Sequence, residues 1–187
     1  MLSLLLRLGI LLFLLSEIGL ALFKRGSRAT RVDDRGSMRL LWFVIMSSIG
    51  LSVMFSGNEA TALPFGATAR RAVAVFLTWG GLGLRWWAII TLGRFFTTDV
   101  AVHAGHRVVT SGPYRFVRHP SYTGLLTVFA GMGVFFGTWL SVLVMVVPIT
   151  LAVLHRIRHE EAVLAGALGD EYAAYCARTK RLIPRVI

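Results

Sequence analysis

The 187-residue chain is poor in three things that most soluble domains use. It holds one cysteine, Cys176, which excludes an intramolecular disulfide and a Cys-based zinc site. Acidic residues are scarce, 9 against 20 basic ones, leaving a formal net charge of +11. Lysine is nearly missing from that basic set, only Lys24 and Lys180, a skew toward arginine that points to a GC-rich bacterial source. Long polar stretches, internal repeats and a disordered tail are also absent from the sequence. Instead 56% of the residues are hydrophobic and the mean hydropathy is +0.69, an apolar load that a soluble domain of this length does not carry.

The apolar residues fall into runs near the roughly 20 residues needed to cross a bilayer core. These are Leu2–Phe23, Leu40–Phe55, Ala72–Leu92 and a continuous block, Gly124–Leu154. As one helix the block would measure about 46 Å, too long for a core of about 30 Å. Gly137-Thr138-Trp139 at its middle predicts a hairpin, Ser121–Phe136 outward and Trp139–Leu154 back, with Gly131, Gly133 and Gly137 allowing the two helices to approach. Pro148 is expected to kink the return helix. The first run exceeds a signal peptide's apolar core and has no convincing small-x-small cleavage site, so it is read as a span.

The positive charge resolves into topology. With a hairpin, sixteen basic residues lie on one side and only Arg70 and Arg71 on the other; Arg7 and Arg85 lie inside spans. By the positive-inside rule the N-terminus is outside and the C-terminus cytoplasmic, which leaves no role for nucleic acid. The expected fold is an all-α integral membrane protein of about five transmembrane helices, the last two a hairpin, in a bacterial inner membrane. A cytoplasmic C-terminal helix, Glu171–Arg178, follows a stop at Gly169, with Tyr172, Tyr175 and Cys176 on one face. A short two-stranded or irregular excursion is expected before the fourth span, Phe95–Val102 and Arg107–Val109 joined by a turn at His103–His106. Residues 1–92 then form an N-terminal membrane unit and residues 93–187 the functional half.

Two segments place polar groups beside apolar ones at the cytoplasmic boundary: Gly112–Gly124, which carries Tyr114, Arg118, His119 and Tyr122, and Arg156–Glu161. The hairpin brings them together, and ionisable groups so placed are functional candidates. Such a pocket suits a zwitterion. Glu160 or Glu161 suits an ammonium, an arginine suits a carboxylate, and Tyr114, Phe116 and Tyr122 suit an aromatic base or a sulfonium. The bland reading is a basic fringe neutralised by two glutamates.

The combination Arg118-His119-Pro120-x-Tyr122, a hairpin, then Glu160-Glu161 ahead of Leu164, Gly169 and Tyr172 resembles the isoprenylcysteine carboxyl methyltransferase family. The likeness covers residues 93–185. It implies S-adenosyl-L-methionine bound through His119, Pro120, Tyr122, Glu160 and Glu161, with backbone near Val108, Val109, Gly112 and Tyr114 along the other side. It also implies a lipophilic or lipidated acceptor that enters from the bilayer, its carboxylate held by Arg118 or Arg156. Phospholipid N-methyltransferases share the Arg-His-Pro-x-Tyr segment, as do NADPH-dependent sterol reductases. The latter carry Asn where Ser121 stands and an Arg-Asp-Glu run absent here. A non-enzymatic membrane protein is the remaining alternative. His155 and His159 have a metal-ligand spacing but no third ligand, so no metal is expected.

Overall fold

In a computed structural model, residues 1–23, 30–31, 36–97, 101–102 and 107–186 are described, and five helices carry the fold. They are α1 (Leu2–Phe23), α2 (Ser37–Phe55), α3 (Ala67–Leu92), α4 (Pro120–Phe136) and α5 (Trp139–Arg178). Helices α1, α2, α3 and α5 are long and apolar enough to cross a membrane, and α4 is a shorter apolar helix. Their outward residues suit lipid rather than water: Phe43 is 70% exposed, Phe76 76% and Ile90 71%. In water such a surface would be an aggregation site; against acyl chains it needs no cover.

Helix α3 packs along α1 and α4, and α5 packs along α2 and α4. The tightest approach is α3 against α4. A Cβ on Gly81 would stand 2.7 Å from the Gly124 carbonyl oxygen, and one on Gly124 would stand 2.6 Å from the Gly81 carbonyl oxygen, so each glycine admits the other's backbone. Gly80 and Gly83 meet nothing and face outward. The hairpin glycines divide their work differently from the sequence expectation. Gly133 admits Val142 of α5, but Gly131 faces Thr78 and Ala74 of α3, and Gly137 faces the Arg70 guanidinium. Two residues along a helix turn the side chain by about 200°, so Gly131 and Gly133 cannot serve one neighbour.

Between α2 and α5 the serines act as polar glue. Ser52 Oγ donates to the Ser141 carbonyl (3.3 Å) and Ser141 Oγ donates to that of Ser52 (3.1 Å). The apolar core is built from all five helices, with Phe13 edge-on to Phe129 at 5.7 Å and Met145, Ile149, Val153 and Ile157 lining α5. Thr138 caps α5 by accepting from the Ser141 amide at 3.1 Å.

The hairpin forms as expected from the sequence, and its second helix continues past the span to the expected stop at Gly169. Its dihedrals stay helical through Pro148 and depart only at Gly169 (φ 53°, ψ −129°), a conformation glycine adopts without Cβ strain. The first leg, Trp139–Leu168, runs about 45 Å, so its last turns stand some 15 Å past one hydrocarbon thickness. Arg156–Glu161 straddle the start of those turns.

The expected excursion pairs differently. Ala101–Val102 forms an antiparallel two-residue pair with Thr30–Arg31 of the first basic loop, not with Arg107–Val109. Two loops on one side of the bundle meet, a non-local pairing that local pattern cannot show. The expected turn at His103–His106 lies outside the described residues.

Candidate functional site

The segment Gly112–His119 leads into α4 through a short 3-10 turn (Gly112–Arg115) and a connecting stretch whose Val117 bridges in parallel to Lys180. The C-terminal residues fasten it in place. The Arg118 amide donates to the Lys180 carbonyl (2.7 Å) and the His119 amide to that of Arg181 (2.9 Å). Thr123 Oγ1 donates to the Leu182 carbonyl at 2.8 Å, and the Tyr175 hydroxyl to that of Tyr114 at 2.7 Å. Residues beyond the Gly169 break thus fold back as a strap that holds the Arg-His-Pro segment against α5.

Inside the strap Glu161 is the hub. Its Oε1 accepts from Arg118 Nε at 2.9 Å and lies 3.3 Å from His119 Nε2, while its Oε2 accepts from Arg181 Nε at 2.9 Å and Nη2 at 2.7 Å. Arg118 Nη1 donates further to the carbonyls of Cys176 and Thr179. The hydrogen bonds to Glu161 push the Arg181 guanidinium pKa above its ordinary value. Glu161 does not line the adjoining cavity; it holds the side chains that do.

Glu160, one residue earlier, points the other way. The Tyr122 hydroxyl donates to Glu160 Oε2 (3.1 Å) and accepts from Arg156 Nε (2.8 Å), and Arg156 Nη1 donates to Ser37 Oγ at 3.0 Å. Arg156, 3% exposed, is thereby fixed by α4 and α2 at once.

These groups surround a cavity of about 320 Å³. Of the residues singled out from the sequence, Val108, Val109, Tyr114, Arg118, His119, Tyr122, Arg156 and Glu160 line it; Gly112, Phe116, Pro120 and Glu161 do not, and Phe116 is 48% exposed. Burial, with Glu160 nearby, raises the Tyr114 phenol pKa, so it stays protonated. Four guanidinium groups (Arg85, Arg107, Arg118, Arg156) and two carboxylates (Glu17, Glu160) reach the cavity, an excess of positive charge.

The sequence leaves Arg85 either to pair with Glu17 or to face the pocket, and it does both. It pairs with Glu17 through two bonds at 2.6 and 2.8 Å, donates to the Ser121 carbonyl at 3.1 Å, and lines the cavity. Sequence reasoning names Glu17 only as a partner for Arg85 and misses its place in the cavity wall, together with those of Met38 and Trp42 on α2 and of Leu168 and Tyr172. An ionisable residue inside the first apolar run was the available signal for Glu17. His155 and His159 lie with Nε2 atoms 3.2 Å apart, and among the described residues no group of three or more metal-ligating side chains occurs.

Comparison with known proteins places this geometry. The model of the isoprenylcysteine carboxyl methyltransferase family matches residues 72–166, about half of the chain. Protein-S-isoprenylcysteine O-methyltransferase B of Arabidopsis thaliana is 35% identical over 155 residues, 72% of this chain and 78% of that protein. A probable protein-S-isoprenylcysteine O-methyltransferase of Oryza sativa subsp. indica is 32% identical over 99 residues, 52% of each chain. The solved structure of a eukaryotic intramembrane Ras methyltransferase superposes with a TM-score of 0.62 at 24% identity, over 78% of this chain and 52% of that one, and shows the fold. The chain thus spans most of the Arabidopsis relative and about half of the rice relative and of the solved chain. With 35% identity across most of both chains, this protein belongs to the isoprenylcysteine carboxyl methyltransferase family and is a membrane-embedded methyltransferase.

Proposed function

We propose that the chain transfers a methyl group from S-adenosyl-L-methionine to the carboxylate of a lipophilic, isoprenylcysteine-like acceptor, at the membrane face that the positive-inside rule assigns to the cytoplasm. The observation that carries this reading is the lining of one cavity by Arg118, His119, Tyr122, Arg156 and Glu160 beside the apolar Leu41, Trp42 and Phe95. The donor's parts find matching groups there: a carboxylate, Glu160, for an ammonium; guanidinium groups for a carboxylate; aromatic and aliphatic walls for a purine. His119, Tyr122, Glu160 and backbone near Val108, Val109 and Tyr114 hold it. Gly112 and Pro120 shape the turn that presents them, and Glu161 fixes Arg118 and His119.

When bound, S-adenosylmethionine supplies an electrophilic methyl carbon on a sulfonium. The protein's own part is modest. A carboxylate is already a nucleophile, so no general base is required. Arg118 and Arg156 orient it, and because Glu161 and Tyr122 already engage them, neither neutralises the acceptor outright. Alignment and exclusion of water lower the barrier by several kcal/mol. Met38, Leu41 and Trp42 on α2 and Ala21 on α1 provide an apolar flank for the acceptor's lipid part, reached from the bilayer.

The test is methyl transfer by the purified protein in lipid nanodiscs, with labelled S-adenosylmethionine and an N-acylated S-prenylcysteine. Base-labile methyl ester on the prenylcysteine supports the reading. Label on phosphatidylethanolamine in the nanodisc would move the protein to the phospholipid N-methyltransferases, and label on neither would sink the acceptor assignment.

A further inference from the structure

Residues 180–186 of the strap run back toward the bilayer. Val117, three residues before α4, bridges to Lys180, and Thr123 Oγ1 on the first turn of α4 donates to the Leu182 carbonyl at 2.8 Å. Helix α4 has 17 residues, a rise of about 25 Å against a hydrocarbon core of about 30 Å. Its first turn therefore cannot stand clear of the headgroups, and neither can the part of the strap fastened to it.

What the strap exposes at that depth is apolar and basic. Leu182 is buried, but Ile183 is 50% exposed, Val186 70%, and Phe116 beside the strap 48%. None of the three lies in a spanning helix, so the membrane crossing itself does not account for them. Uncovered in water they would be a liability, whereas at the boundary of headgroups and acyl chains they are buried. Arg115 lies over the Phe116 ring at 4.4 Å, and Lys180 and Arg185 are exposed. No acidic residue occurs between Tyr172 and Val186, and among the described residues Arg115, Lys180 and Arg185 enter no ion pair. Unpaired cations interleaved with uncovered apolar side chains match a surface of negative headgroups over hydrocarbon.

We propose that Phe116, Ile183 and Val186 insert at the headgroup–acyl boundary and that Arg115, Lys180 and Arg185 bind the phosphates of anionic lipids there. The bilayer surface then holds the strap down. The Arg118 and His119 amides bond the strap carbonyls of Lys180 and Arg181, so the lipid contact and the cavity wall share one stretch of backbone. The inference stands apart from the identity of the methyl donor and of the acceptor.

The test puts a nitroxide on the full-length protein at Ile183→Cys, Val186→Cys or, on the helix after Gly169, Ala173→Cys, each combined with Cys176→Ser. The labelled proteins are placed in nanodiscs of phosphatidylcholine, with or without phosphatidylglycerol. Every labelled or neutralised side chain is exposed, so folding does not hinge on it. Collisions with oxygen, which partitions into lipid, and with a water-soluble nickel chelate read the depth of each label. Labels at 183 and 186 are expected to favour oxygen and the label at 173 to favour nickel. Phosphatidylglycerol should lower nickel access at 183 and 186 by about twofold, and Arg115→Gln, Lys180→Gln and Arg185→Gln together should abolish that response. Nickel access at 183 and 186 equal to that at 173 would place the strap in water and overturn the proposal. Oxygen-favouring labels that ignore phosphatidylglycerol, or a response that survives the triple substitution, would overturn the binding of anionic lipid by these cations.

Discussion

Glu161 and Arg181, twenty residues apart in the chain, meet through two hydrogen bonds to a single carboxylate oxygen, at 2.9 and 2.7 Å. The other oxygen of the same carboxylate serves Arg118 and His119. One anion thus ties the C-terminal strap to the Arg-His-Pro segment, and the cavity wall depends on it.

Glu161→Gln is expected to destabilise the protein by about 3 kcal/mol, because it leaves the largely buried Arg118 beside Arg181 without a counter-charge. Arg181→Gln should cost less than about 1 kcal/mol, since that side chain is 37% exposed and its attraction is screened. Thermal unfolding in detergent ranks the two, and an equal cost would mean that Glu161 is not the hub.

Tyr122→Phe removes the hydroxyl between Arg156 and Glu160. Arg156 keeps Ser37, but the buried Arg156 and the half-buried Glu160 each lose a partner, at a cost of about 1–3 kcal/mol. Affinity for S-adenosylhomocysteine should fall about tenfold or more, read by calorimetry. Arg156→Lys should fare no better, because an ammonium cannot span Tyr122 and Ser37 as the guanidinium fork does.

The Glu17–Arg85 pair is buried within the spans, so truncating one partner should be worse than replacing both. Glu17→Ala is expected to cost about 3–5 kcal/mol, and Glu17→Leu combined with Arg85→Leu to cost less than that. A double-mutant cycle on melting temperature measures the coupling. Additive effects would show that the two charges do not depend on each other.

Gly124→Ala should lower the melting temperature by several degrees, as its methyl would lie 2.6 Å from the Gly81 carbonyl oxygen and 2.7 Å from the Arg85 amide. Gly80→Ala, one residue from Gly81 but facing open space, should be neutral or slightly stabilising. The pair separates close packing at the α3–α4 contact from helix propensity on an open face.

The expectations that succeeded rested on solvation. Crossing a bilayer requires about 20 apolar residues, so Leu2–Phe23 and the third run could be read as helices directly, and the overlong Gly124–Leu154 block had to fold at Gly137. The hairpin then forced Arg118–Tyr122 and Arg156–Glu161 together, which made the candidate site legible before any coordinates. Local signals failed where partners were distant. Ala101–Val102 pairs with Thr30–Arg31, some seventy residues earlier, and nothing in either segment names the other.

By itself, the sequence determined the helical membrane fold, the hairpin, and the two segments that carry the polar chemistry, because each follows from length, charge and the need to satisfy backbone groups in lipid. Tertiary structure alone decided which glutamate does what. Glu160 and Glu161 are adjacent and chemically alike, but successive residues on a helix point about 100° apart. Glu160 therefore faces the cavity and Tyr122, while Glu161 faces the strap and its cations. The strap and the Arg85–Glu17 pair likewise arise only when remote segments pack, since each depends on a distance that no sequence spacing encodes.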